Sequence, residues 1–139
     1  GGAATRITSW EVEPTAPVWS PDGKTIAFQN YAPEGNYHIW TIAPDGTGQA
    51  ELTTGPNDDR EPAWLPDGSG LVFSSDRSND GQYKIWSVTL AGKTLAQLTK
   101  GQGAESNPVV APDGRQLAYV DNGNVFTTTL GGTAAPTQV

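Results

Sequence analysis

Cysteine is absent from the 139 residues, and histidine occurs once, at His38. The first absence excludes disulfides, thiolate metal sites and thiol catalysis together. It leaves the compartment open, since a cysteine-free chain suits cytosol and periplasm alike. Positive charge is scarce: eight Lys and Arg stand against fifteen Asp and Glu, for a formal net charge of −7. That balance repels phosphate backbones and anionic membrane surfaces, so nucleic acid is not an expected partner. No run approaches the ~18 apolar residues of a membrane span, and no basic stretch followed by an apolar one opens the chain. Neither membrane insertion nor a signal peptide is expected. Glycine and proline, at 17 and 11, are plentiful, which suits short strands joined by tight turns better than long helices. One domain is expected at this length.

The chain repeats itself. Pro17-Val18-Trp19-Ser20-Pro21-Asp22-Gly23 returns as Pro62-Ala63-Trp64-Leu65-Pro66-Asp67-Gly68 and as Pro108-Val109-Val110-Ala111-Pro112-Asp113-Gly114, with the aspartates 45 and 46 residues apart. Each turn leads into a strand-like run, at Thr25-Ile26-Ala27-Phe28, Gly70-Leu71-Val72-Phe73 and Gln116-Leu117-Ala118-Tyr119. A third strand follows at His38–Ile42, Lys84–Val88 and Asn124–Thr128, and a fourth ends in Glu51-Leu52-Thr53 and Gln97-Leu98-Thr99. Four short strands in a unit of this length indicate antiparallel propeller blades rather than a helical repeat. In the Pro-Asp-Gly turn, Pro sets φ, Asp tolerates the next position and Gly takes a positive φ, with no catalytic role needed. The second blade spends Ser75 to Gln82 between its second and third strands, where the third blade uses Asp121-Asn122-Gly123; the longer loop is the natural place for specialisation.

The run Pro-x-Trp-Ser-Pro-Asp-Gly-Lys-x-Ile-Ala-Phe, then an Ile-Trp strand, an Asp-Gly turn and Leu-Thr, resembles the TolB-type propeller repeat, which also occurs in tricorn-like and prolyl-oligopeptidase-type propellers. The likeness covers nearly the whole chain and bears on fold more than on function. In such repeats an Asp-Arg pair commonly follows the second strand. Asp76-Arg77 keeps it, while Tyr31-Ala32 and Asp121-Asn122 stand there in the other copies, so blade-to-blade ion pairing is expected at blade two alone.

The expected fold class is therefore all-β, with β-propeller blades of four antiparallel strands, three per chain. The limits read as a stray outer strand and linker at 1–16, then blades at 17–61, 62–107 and 108–139. Three blades do not close a circle, and an open stack leaves two apolar faces wet. Propellers have about four to eight blades, so a homodimer forming a six-bladed ring is expected, six being also the number the TolB resemblance implies. The ends add a fourth approximate copy of one strand: Thr5-Arg6-Ile7-Thr8 resembles an outer strand without its blade. Either it closes a neighbour's third blade by exchange, or the chain is cut from a longer array.

Candidate site residues come from the segments entering the innermost strands. In a closed propeller Glu13, Asp58, Asp59, Glu61 and Glu105 would surround one mouth of the channel as an acidic ring suited to Ca²⁺ or a basic peptide. The plain alternative is solvated loop carboxylates, as no Asp-x-Asp-x-Asp-Gly loop is present. Acid–base work by a pair such as Glu61 and Glu105 stays open, although no serine elbow, phosphate loop or zinc spacing accompanies it. His38 reads as a partly exposed strand residue rather than a catalytic base. Trp19 with Trp64, and Trp40 with Trp86, hold equivalent packing positions. Trp10 lies outside the repeat and, with Tyr31 and Tyr37, is a candidate exposed contact aromatic.

The reading that follows is a non-catalytic, TolB-like scaffold for protein–protein interaction, with itself and a protein or peptide as partners and no cofactor. It would be periplasmic if the resemblance extends to function. The alternatives are the propeller portion of a larger hydrolase or peptidase, an excised or engineered half-propeller with no role beyond assembly, and Ca²⁺ or small-ligand binding in the channel.

Overall fold

The structure, a computed structural model, describes residues 2–9, 13–132 and 135–139. No helix occurs among them. Three four-stranded antiparallel sheets follow one another: β1 (Thr15–Trp19), β2 (Ile26–Tyr31), β3 (Tyr37–Ile42) and β4 (Ala50–Glu51); β5 (Asp59–Trp64), β6 (Gly70–Ser75), β7 (Lys84–Thr89) and β8 (Leu95–Gln97); β9 (Glu105–Val110), β10 (Gln116–Asp121), β11 (Asn124–Thr129) and β12 (Thr137–Gln138). Their registers coincide, since Phe28 faces Trp40 and Trp40 faces Glu51 just as Phe73 faces Trp86 and Trp86 faces Gln97. In blade 3 the corresponding line is Tyr119, Phe126 and Gln138.

Burial follows from position in the stack. β6 is buried at every residue because blade 2 is covered on both sides, whereas β10 begins exposed and alternates. One seam joins Ala27, Ile39 and Leu52 of blade 1 to Trp64, Leu71, Phe73 and Val88 of blade 2. The other joins Val72 and Ile85 of blade 2 to Leu117 and Tyr119 of blade 3. Each Leu, Ile, Val or Phe side chain among these, fully withdrawn from water, contributes roughly 1.5–3 kcal/mol.

The Pro-Asp-Gly turns have the expected geometry. Gly23, Gly68 and Gly114 have φ of 68°, 72° and 72°, and their N–H groups donate to the carbonyls of Ser20, Leu65 and Ala111 at 2.9, 2.9 and 2.8 Å. Each aspartate adds a bond, its Oδ1 accepting from the N–H of Lys24, Ser69 or Arg115.

The first strands differ from the sequence reading. They start at Thr15, Asp59 and Glu105, ahead of the limits at 17, 62 and 108. Proline cannot donate to a ladder, and each first strand meets its proline with a register shift. The residue before it is left-handed: Ala16, Glu61 and Asn107 have φ of 51°, 56° and 51°. The bulge lets pairing resume upstream of the proline. Blade 3 is completed by the chain's own β12. Residues 2–9 form no strand, and Ile7 instead runs past the turn at Gly46, where an added Cβ would stand 3.0 Å from the Ile7 carbonyl oxygen.

Candidate functional site

The loops and strand starts that carry the candidate carboxylates are cross-linked by those same carboxylates. Asp59 and Glu105 hold equivalent positions at the start of β5 and β9, paired with Ser75 and Asp121, and both are 0% exposed. They therefore do not belong to a solvent-facing ring. A buried carboxylate must be satisfied from within the protein, and the two blades do this differently. Asp59 accepts from Arg77 Nη2 at 2.6 and 2.5 Å, while Arg77 Nε donates to Ser75 Oγ at 2.9 Å. The Asp76-Arg77 pair thus acts inside blade 2, not between blades as expected: Asp76 Oδ1 accepts from the Asp58 N–H at 2.9 Å, and Arg77 closes on the same strand. Blade 3 has no arginine at that place. Glu105 takes hydrogen bonds from Thr99 Oγ1, from the Gly101 N–H at 2.9 Å and from the Ile85 N–H at 3.3 Å. Burial nevertheless dominates and raises the Glu105 pKa.

Asp58 organises the exposed side of this region. It accepts from the Tyr37 N–H at 2.7 Å, from Arg60 Nε at 2.8 Å and from the Tyr83 hydroxyl at 2.5 Å. Burial works against its charged form, but the bonds from Arg60, Tyr83 and Tyr37 outweigh it and hold its pKa below the usual Asp value. Burial together with the Asp58 carboxylate pushes Tyr83 up to about 12. Arg60, fixed by Asp58, lies with its guanidinium carbon 4.5 Å from the centre of the Tyr37 ring. Tyr37 in turn meets Tyr31, its cross-strand partner, edge to face at 5.1 Å. Tyr31 is 49% exposed.

Glu61 and Glu105 line one cleft of about 320 Å³ with Arg60, Ser74, Tyr83, Ala104 and Ser106. Glu61 Oε2 accepts from Ser74 Oγ at 3.1 Å and from the Asn107 N–H at 2.6 Å, which commits it to the seam with blade 3. Glu13 is exposed, and its N–H donates to Asn30 Oδ1 at 2.9 Å. Trp10 lies outside the described residues. The structure therefore brings Asp58, Tyr31 and Tyr37 together through Arg60, places Glu61 and Glu105 on an adjacent cleft, and leaves Asp59 and Glu13 apart.

His38 is buried rather than partly exposed. Its Nδ1 lies 2.5 Å from Glu51 Oε1 and its Nε2 2.8 Å from the Gly55 carbonyl. Burial lowers its pKa, but the Glu51 and Gly55 acceptors prevail and the net shift is upward. Arg60 and Tyr83 escaped the sequence reading. The one signal for Arg60 was its place between Asp59 and Glu61; Tyr83 directly follows the long blade-2 loop.

A family profile described as TolB beta propeller domain matches residues 1–133. The solved structure of a putative TolB from Agrobacterium tumefaciens superposes with a TM-score of 0.84 at 22% identity, over 94% of this chain and 50% of that one. The uncharacterized protein Atu1656 of Agrobacterium fabrum is 35% identical over 74 residues, which are 53% of this chain and 25% of that protein. The uncharacterized peptidase YuxL of Bacillus subtilis is 30% identical over 73 residues, 52% of this chain and 11% of that protein. The chain thus spans half of the superposed structure and a quarter or less of the two curated relatives.

Proposed function

We propose that this chain, which belongs to the TolB β-propeller family, is a non-catalytic scaffold for protein–protein docking, with Tyr31, Tyr37 and Arg60 as its contact surface. One arrangement carries the reading: half-exposed Tyr31 packs edge to face on Tyr37, and Tyr37 is in turn held by the Arg60 guanidinium that Asp58 anchors from behind. Tyrosine and arginine in a preorganised setting supply contact area at low entropic cost and dominate binding hot spots. The occupant is a protein segment that lays an apolar or aromatic side chain on Tyr31. The carboxylates beside it serve the fold instead of a cation. The reading carries with it a periplasmic setting.

Wild-type chain and the Tyr31→Ser and Arg60→Ala variants, immobilised and exposed to one periplasmic extract, test this. Proteins retained by wild type should be lost from both variants and kept by Glu13→Gln. Equal retention by all four contradicts the assignment. A second reading, the propeller portion of a larger peptidase, is favoured by the likeness to YuxL; a hydrolase segment in the complete gene would select it.

A further inference from the structure

The repeat allows each residue on the two free sides of the stack to be compared with its buried counterpart. Val125 holds in blade 3 the place of Ile39 and Ile85, and is 48% exposed where they are 0%. Trp19 holds the place of Trp64, at 59% against 9%. The free side of blade 3 is the upstream half of a seam, and the free side of blade 1 is a downstream half on which Trp19 is exposed while Phe28 and Ile42, in the places of Phe73 and Val88, are already buried. The two are complementary, not merely apolar.

Polar groups follow the same division. Within the chain the Trp64 indole donates to the Val18 carbonyl at 3.1 Å; the counterparts on the free sides are the Trp19 indole and the Val109 carbonyl. The left-handed residue of each first strand turns its N–H toward the preceding blade, Glu61 to Gln29 Oε1 and Asn107 to Glu61 Oε2, both at 2.6 Å. Ala16 has the same backbone conformation, and among the described residues no sheet precedes it. In blade 3 the Gln29 place is held by Val120, which has no side-chain acceptor, but the Glu61 place is held by exposed Asn107, whose amide oxygen can accept.

The N-terminal segment adds an independent observation. Lys93, in the outer turn of blade 2, donates to the carbonyl of Glu51 in the outer strand of blade 1 at 2.7 Å. Ile7 stands in the same way against the corresponding turn of blade 1, at Gly46. Ile7 therefore lies where the outer strand of a blade preceding blade 1 would run.

We infer that a second copy of this chain supplies that blade and closes the ring, blade 3 of each copy packing on blade 1 of the other. Trp19 of one copy then donates to the Val109 carbonyl of the second, and Asn107 of the second accepts from Ala16. A second copy is the occupant because it offers Val125 to the Trp19 side, the Val109 carbonyl to the Trp19 indole and the Asn107 amide oxygen to Ala16. Two copies also have the span of the Agrobacterium tumefaciens structure, of which one covers 50%. A two-fold axis makes both new seams identical and leaves no growing end. In the closed ring, Ile7 of one copy and β12 of the other are directed to one place beside β11, so the first replaces the second there.

Sedimentation equilibrium of the 139-residue chain at micromolar concentration tests the inference and should read twice the 14.6 kDa chain mass. Trp19→Glu and Val109→Lys, each at a position exposed in the single chain, should fall to the monomer mass with an unchanged circular dichroism spectrum. The double variant should regain the dimer by pairing opposite charges across each seam. A folded wild-type monomer overturns the inference and gives the free faces to a longer continuation of the chain. A dimer that survives both single variants overturns it too, by placing the contact elsewhere.

Discussion

The indole Nε1 of Trp64 donates to the backbone carbonyl of Val18 at 3.1 Å. A side chain of blade 2 thereby fixes its angle on blade 1 by direction as well as by contact. Trp64→Phe keeps most of the apolar volume and removes the donor. It should cost about 1 kcal/mol for the hydrogen bond, with a further loss for the smaller ring, seen as a lower urea midpoint. No change in the midpoint would contradict a stabilising role for this residue in the seam.

Arg77 and Asp59 make the next case. Asp59 is fully buried and Arg77 nearly so. Arg77→Leu leaves a buried carboxylate without its cation, and loss of one partner from such a pair costs about 3–5 kcal/mol. Asp59→Asn together with Arg77→Leu should recover much of that loss. Equal destabilisation of the single and double variants would refute the pairing as the cause.

Local chemistry made the strands and turns legible in the sequence, because Pro-Asp-Gly and the alternation after it act over a few residues. The seams were not legible at residue level. Nothing in Glu-Pro or Asn-Pro announces a left-handed Glu61 or Asn107 whose N–H reaches into the preceding blade. The acidic segments were read from charge alone, and charge cannot tell a buried carboxylate such as Asp59 from an exposed one such as Glu13. That distinction depends on Arg77, which lies a strand away. His38 was misjudged for a related reason: its acceptors, Glu51 and Gly55, approach only when β4 folds back on β3.

Stability should respond to pH through His38. Its folded pKa is raised above the ordinary value of 6.5, with burial opposing and the Glu51 and Gly55 acceptors, aided by the Asp59 charge, prevailing. A raised histidine pKa contributes stability that is fully present below 6.5 and is lost as pH rises through the folded value. The wild-type melting temperature should therefore fall across that window while His38→Gln, lower at the acidic end, stays flat. Parallel curves would show that another group carries the dependence.

Chelation should leave the fold untouched. Glu61 and Glu105 accept hydrogen bonds from the protein's own Ser74, Asn107, Thr99 and Gly101, so the core of apolar seams does not wait on a cation. The melting temperature should be the same in a chelator and in millimolar Ca²⁺. A rise with Ca²⁺ would return these carboxylates to the role of ligands.

The claim that the seam inside the chain is also the seam that closes the ring is tested most directly by the shape of the protein in solution. Small-angle X-ray scattering of the wild-type chain should give the pair-distance distribution of a flat, closed disc with a central channel. The Trp19→Glu variant should give that of a half-disc of the same thickness. A wild-type curve that fits the half-disc, or two half-discs joined by their rims, would contradict the account.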